Sequence, residues 1–197
     1  SQRVVNAMLP YFTEMYGNAG SIHTMGADAA KAMQKAREQC ARPINADPED
    51  IIFTSGGSEA NTLAIVGLAK HLISIGKTHV ITTPVEHPSV LEAMKYLFYH
   101  GFEVEYLAMG KDGELDTAEL TSKIRKNTGL VSVMAVNNET GNSYDIQRIG
   151  AKCKKYGIFF HTDCVQAYGN MDIDVERDHI DFLSVSGHKF HAPKGVG

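Results

Sequence analysis

A chain of 197 residues, 43% hydrophobic and 21% charged, is long enough to bury one sizeable core and predicts a soluble globular protein. Nineteen basic against 23 acidic residues leave a net charge of −4 with no basic run, which argues against nucleic acid as a partner. No apolar stretch approaches the length of a membrane span, and the opening "SQRVVNAMLP" lacks the apolar core of a signal peptide, so no membrane association and a cytoplasmic location are expected. Cys40, Cys153 and Cys164 are odd in number, scattered and without CxxC spacing, and are read as reduced thiols.

Taken in chain order, the first element is the helix-like "QRVVNAMLPYF", which comes directly after Ser1. Ser in place of an initiator Met, and a glycine-rich last stretch with no closing element, lead to the expectation that the chain is trimmed at both ends. The Ala-rich "GADAAKAMQKAREQCA" is the next helix, and six β-branched or aromatic runs come after it as strand candidates: "IIFTS", "HVITT", "FEVEYL", "LVSVMAV", "GIFFHTD" and "DFLSVS". Between them lie four segments of helical spacing, "SEANTLAIVGLAKHLISIG", "PSVLEAMKYLFYHG", "DTAELTSKIRKN" and "DIQRIGAKCKKYG". This alternation predicts an α/β fold, a mainly parallel sheet flanked by helices, with no internal domain boundary.

In open α/β sheets ligands gather at the carboxyl ends of the strands, so the residues directly behind each apolar run are informative. "IIFT" leads into "SGGSEAN", "HVITT" into "PVEHPS", "LVSVMAV" into "NNETG", "GIFFH" into "TDCVQA" and "DFLSV" into "SGHK". Five runs therefore deliver Ser58, His87, Asn138, Asp163, Gln166, His188 and Lys189 to one edge. Taken singly, each has an ordinary reading. "SGGSEAN" fits a strand-to-helix turn with a capping Ser as well as a phosphate cradle; His87 before Pro88 fits a helix start; Asn138 fits a turn; Lys189 fits a surface lysine. Asp163 at the end of an apolar strand is different, because a buried unpaired carboxylate costs roughly 2 kcal/mol or more and calls for a cation.

The set says more than its members. A phosphate cradle, a carboxylate able to hold a protonated ring nitrogen, a His able to stack on an aromatic face and a Lys able to form an imine are the parts of a pyridoxal 5'-phosphate site. No His or Cys lies at metal-ligand spacing from His87, so no metal is expected.

These motifs, from "YGNAGSIHTMGADAAKAMQKAREQCA" through "FTSGGSEANTLAIVG", "VEHPSV", "VNNETG" and "HTDCVQAYG" to "SGHKFHAPKGVG", resemble the cysteine desulfurases of the NifS/IscS type, class V members of the fold-type I pyridoxal phosphate enzymes. The resemblance implies that residues 1–197 are a pyridoxal-phosphate-binding large domain, with an amino-terminal segment and a carboxy-terminal small domain lying outside it. Lys189, His87 and Asp163 would be catalytic: Lys189 carrying the cofactor imine, Asp163 pairing with the ring nitrogen, His87 stacking on the ring. Gln166 and Asn138 would serve the ring hydroxyl, and Gly57, Ser58, Ser186 and His188 the phosphate. The implied reaction converts L-cysteine to L-alanine and leaves a persulfide for a sulfur acceptor or iron–sulfur scaffold protein, in a homodimer. A class V aminotransferase, a selenocysteine lyase or a cofactor-binding remnant without turnover are the alternatives. Cys164 inside "HTDCVQA" stands where the family commonly carries a small residue, and is not expected to be the nucleophile.

Overall fold

In the computed structural model, which describes residues 1–197, five parallel strands form one sheet. They are β1 (His79–Thr82), β2 (Glu103–Tyr106), β3 (Thr128–Ser132), β4 (Phe159–Asp163) and β5 (Phe182–Ser184), in the spatial order β2-β1-β3-β4-β5. Every neighbouring pair is parallel. The helices are α1 (Gln2–Thr13), α2 (Thr24–Ala41), α3 (Gly57–Ser74), α4 (Pro88–Tyr99), α5 (Thr117–Lys123) and α6 (Ile146–Tyr156). All six coincide with the helical segments expected from the sequence. No helix is long and apolar enough to cross a membrane.

Helices cover both faces of the sheet, which is why the central strands read as continuous apolar runs rather than alternating ones. Val80 and Leu130 pack under Ile65, Leu68 and Leu72 of α3 and Val90, Met94 and Leu97 of α4. Their chain neighbours Ile81 and Val131 point the other way, with Phe160, onto Leu120 of α5 and Ile149 and Cys153 of α6. Short polar side chains fix where these helices begin. Asp116 accepts a bond from the Ala118 N–H at 2.7 Å to start α5, and Asp145 accepts one from the Arg148 N–H at 2.9 Å to start α6. Inside the sheet His161 bridges Ser132 (2.8 Å) and Ser184 (3.1 Å), a polar rung across β3, β4 and β5. Burial pushes that imidazole down to about 3, so it stays neutral.

The strand expected at "IIFTS" does not form. Residues 51–55 are extended, but their partner is the end of the chain: Thr54 exchanges two backbone bonds with Gly197, at 2.8 and 2.9 Å, and a single reciprocal pair is too short to make a ladder. "LVSVMAV" goes further than β3 itself, since the N–H groups of Val133 and Ala135 still bond to the carbonyls of His161 and Asp163. That extension carries the chain to the "NNETG" turn at the carboxyl edge.

Gly150 in the middle of α6 lets the helix lie against the Asp174–Asp178 turn: a Cβ there would stand 1.9 Å from the Asp178 carbonyl oxygen. In an open helix Gly→Ala stabilises by about 1 kcal/mol. Gly150→Ala is expected to do the reverse, lowering stability by ~1–3 kcal/mol through backbone overlap. A shift of the urea midpoint to lower concentration checks this; a shift to higher concentration would show that propensity wins.

Candidate active site

The carboxyl ends of β1, β3, β4 and β5 and the start of α3 surround a cavity of about 410 Å³. The strand order reverses between β1 and β3, and a crevice at such a switch point is expected from the topology. Gly57 and Ser58 reach it from α3, His87 from the loop after β1, and Asn138 from the turn beyond β3. Asp163 and Gln166 come from the end of β4, and Ser186, His188 and Lys189 from the segment after β5. All nine sequence-selected positions thus line one cavity. Lys189 is carried on a short 3₁₀ turn, Gly187–Phe190, rather than on the strand itself.

Asp163 is 4% exposed. Its Oδ1 accepts the Val165 N–H at 2.9 Å and its Oδ2 the Asn61 side-chain amide at 2.8 Å. No ion pair within the chain involves it. Asn61 also donates to Ser89 Oγ (2.9 Å), and Ser89 lies against His87 Nδ1 through both its hydroxyl (2.7 Å) and its backbone N–H (3.1 Å). Asn61 and Ser89, neither singled out from the sequence, therefore join Asp163 to His87.

At the cavity wall α3 starts without a side-chain cap, leaving its first N–H groups free for an anion. Gly57 lets this helix start pack closely on the segments beside it: a Cβ would meet Val165 Cγ2 at 2.9 Å and Ser186 Cβ at 3.3 Å. Glu59, one turn in, is folded back onto the Ser55 N–H and hydroxyl, both at 2.6 Å, so its charge is engaged away from the cavity lining. Ser186 Oγ and His188 Nδ1 are 2.9 Å apart.

Two further residues hold the walls. Asn137, 5% exposed, accepts from the N–H groups of Glu139 and Thr140 at 2.9 Å each and donates to the Val85 carbonyl at 2.9 Å. It thereby shapes the turn that presents Asn138, whose own amide donates to Glu139 at 2.8 Å. Glu86 accepts at Oε1 from Thr83 Oγ1 (2.8 Å) and from the Met134 N–H (2.9 Å), tying the His87 loop to the chain beyond β3, while its Oε2 is buried without a partner. No three His, Cys, Asp or Glu side chains come together as a metal-ligand set.

The family model described as aminotransferase class V matches residues 1–197. A cysteine desulfurase of Nostoc sp. (strain PCC 7120) is 46% identical over 194 residues, 98% of this chain and 48% of that protein. A mitochondrial cysteine desulfurase of Saccharomyces cerevisiae is 47% identical over 196 residues, 99% of this chain and 39% of its own length. Among solved structures, SspA in complex with cysteine superposes with a TM-score of 0.95 at 39% identity, covering 100% of this chain and 56% of that one. The chain thus spans about half the length of the proteins it matches.

The geometry around Glu86 yields a pH prediction. Burial, opposed by the Met134 and Thr83 bonds and reinforced by the charge of Asp163, raises its carboxyl from 4.5 to about 8. Below about 4.5 the group is protonated folded or unfolded; between 4.5 and 8 only the folded state holds the proton, so its contribution to stability is lost as pH rises through that window. Glu86→Gln keeps the acceptor oxygen and has no proton to lose. Urea denaturation at several pH values across the window should therefore give a flatter stability profile for Glu86→Gln than for the parent, and parallel profiles would refute the assignment.

Proposed function

This chain belongs to the class V aminotransferase family, and from that premise we propose that it is the pyridoxal-phosphate-binding large-domain part of a cysteine desulfurase. The observation that carries the cofactor is Asp163: a buried carboxylate on a cavity wall, held by two N–H donors and paired with no cation. A charge so placed is costly until a cation arrives, and a protonated pyridine nitrogen is a cation of suitable size and shape. The residues fit the rest of the group as well. The uncapped start of α3, with Ser58, Ser186 and His188, offers donors to a phosphate dianion at one end of the cavity. His87 offers a flat ring on the wall, and Lys189 an amine that makes no hydrogen bond within the chain.

When bound, the cofactor would supply an aldehyde for exchange with an amino acid and an electron sink for its carbon. The chain's own residues do the remainder. Asp163 would hold a proton at the ring nitrogen by charge, and the neighbouring Glu86 stays neutral, so the two do not repel. Lys189 would supply an amine for that aldehyde and a base for proton transfer. Gln166 and Asn138 stand by the same wall as donors toward a ring hydroxyl. The relatives named as cysteine desulfurases and the likeness to SspA solved with cysteine support L-cysteine as the substrate. Alanine and an enzyme persulfide would be the products, the sulfur passing to an acceptor or iron–sulfur scaffold protein.

None of the three thiols here suits the sulfur step. Burial pushes Cys153 and Cys164, both 0% exposed, up to about 12, and raises Cys40 as well. A nucleophilic thiol needs the opposite shift and room to move. Alkylation of the native chain should therefore leave Cys153 and Cys164 unmodified until denaturant is added. Incubation with pyridoxal phosphate and L-cysteine should place no persulfide on any of the three; a persulfide on one of them, lost on its replacement by Ser, would overturn this assignment.

The cofactor assignment has its own test. Borohydride reduction after loading with pyridoxal phosphate should fix the cofactor to Lys189, and Lys189→Ala should abolish fixation. Asp163→Ala should weaken retention about tenfold to a hundredfold, the span of a charge-assisted bond. Cofactor recovered on Lys194 or elsewhere, or equal retention by Asp163→Ala, would reject it.

A further inference from the structure

The Asp163–Asn61–Ser89–His87 contacts have a direction that fixes a proton. A backbone N–H can only donate, so the bond from the Ser89 N–H to His87 Nδ1, 3.1 Å, makes that nitrogen an acceptor. Asn61 presents its amide nitrogen to Asp163 Oδ2 at 2.8 Å, because a carboxylate has only lone pairs to offer, and the other amide hydrogen goes to Ser89 Oγ at 2.9 Å. With its oxygen already accepting, Ser89 turns its own hydrogen toward His87 Nδ1, 2.7 Å away. Two donors then converge on Nδ1, and the ring proton must sit on Nε2. That second nitrogen makes no hydrogen bond within the chain, and His87 lines the cavity.

We propose that Asn61 and Ser89 are positioning residues: a one-way donor relay that locks His87 in the tautomer with its proton on Nε2 while holding Asp163 Oδ2 in place. The lock is built into the fold. His87 is the residue capping α4, so the helix directs a backbone N–H at Nδ1 and keeps that nitrogen an acceptor, leaving Nε2–H as the ring donor on the cavity side. Asn61 lies one turn along α3 from Gly57, so the same helix that offers its start to an anion also sets the carboxylate and, through Ser89, the imidazole. Its Oδ1 is buried with no partner, so both hydrogen bonds of this amide are made by its nitrogen. What the proton does rests on the proposed cofactor; where it sits does not.

The test uses the cofactor-free chain labelled with 15N-histidine. A long-range proton–nitrogen correlation spectrum, with the His87 signal identified by its loss in His87→Gln, should show Nε2 protonated and Nδ1 bare. Ser89→Ala and Asn61→Leu should each raise the share of the Nδ1–H tautomer, about fivefold for the loss of one hydrogen bond, and Ser89→Thr, which keeps the hydroxyl, should restore the parent ratio. A parent ring protonated on Nδ1 would overturn the proposal, and so would parent-like ratios in both variants with circular dichroism unchanged. If Asn61→Leu does not fold, Ser89→Ala alone decides, because it keeps the backbone donor and sits on the first turn of α4. A parallel titration with pyridoxal phosphate separates the two readings: a parent chain that shows the tautomer but takes up no cofactor refutes the proposed function and leaves the relay standing.

Discussion

One buried negative charge organises the cavity. Asp163 ends the strand next to the sheet's centre, 4% exposed on the wall of the cavity, and its neighbours are arranged around its carboxylate. The Val165 N–H and the Asn61 amide each satisfy one oxygen. Glu86, on which the charge of Asp163 acts, is made neutral chiefly by burial, so that a second charge is not stored beside the first. What the chain withholds is a cation. A buried carboxylate given hydrogen bonds but no ion pair carries a desolvation cost that a cation at this wall would offset.

The sheet makes this arrangement possible. Parallel strands place all their carboxyl ends on one edge, so residues separated by more than 100 positions, such as Ser58 and Lys189, meet without long loops. Two close approaches then set the depth of the cavity. Gly57 brings α3 down onto Val165 and Ser186, and the Glu86 bond to the Met134 N–H draws the His87 loop onto the chain beyond β3. The first works by the absence of a side chain, the second by a carboxyl that is neutral in its place.

The α/β class, all six helices and five of the six strands were legible in the sequence, because long apolar runs separated by amphipathic segments leave few other ways to bury the surface. "IIFTS" has the composition of a strand yet no sheet neighbour, and pairing is a long-range property that composition does not carry. Seven of the nine cavity residues were legible because they stand behind apolar runs, where topology dictates the edge, although the run before Ser58 is extended without forming a strand; Gly57 and Ser186 were legible only through the family resemblance. Asn61, Ser89, Asn137 and Glu86 were not. Each acts on a residue distant in the chain or through a single backbone group, as Asn61 does across 102 positions to Asp163. One local signal was available: a Ser two residues after a His that opens a helix is placed to bond that imidazole, and "HPS" has that spacing.

The pair Asp163 and Cys164 shows why adjacency in sequence misleads about chemistry. Successive side chains of a strand point to opposite faces. Asp163 faces α3, where Asn61 meets it, whereas Cys164 turns into the apolar cluster with Phe160 and Ile149. Burial already raises its thiol to about 12, and the charge of Asp163 acts in the same direction. Burial, with the Asp163 charge adding to it, therefore keeps the adjacent Cys164 thiol protonated. The polar groups of this cavity are thus fixed by the sheet and its flanking helices, while the thiol next to Asp163 in sequence is fixed on the other face among apolar side chains.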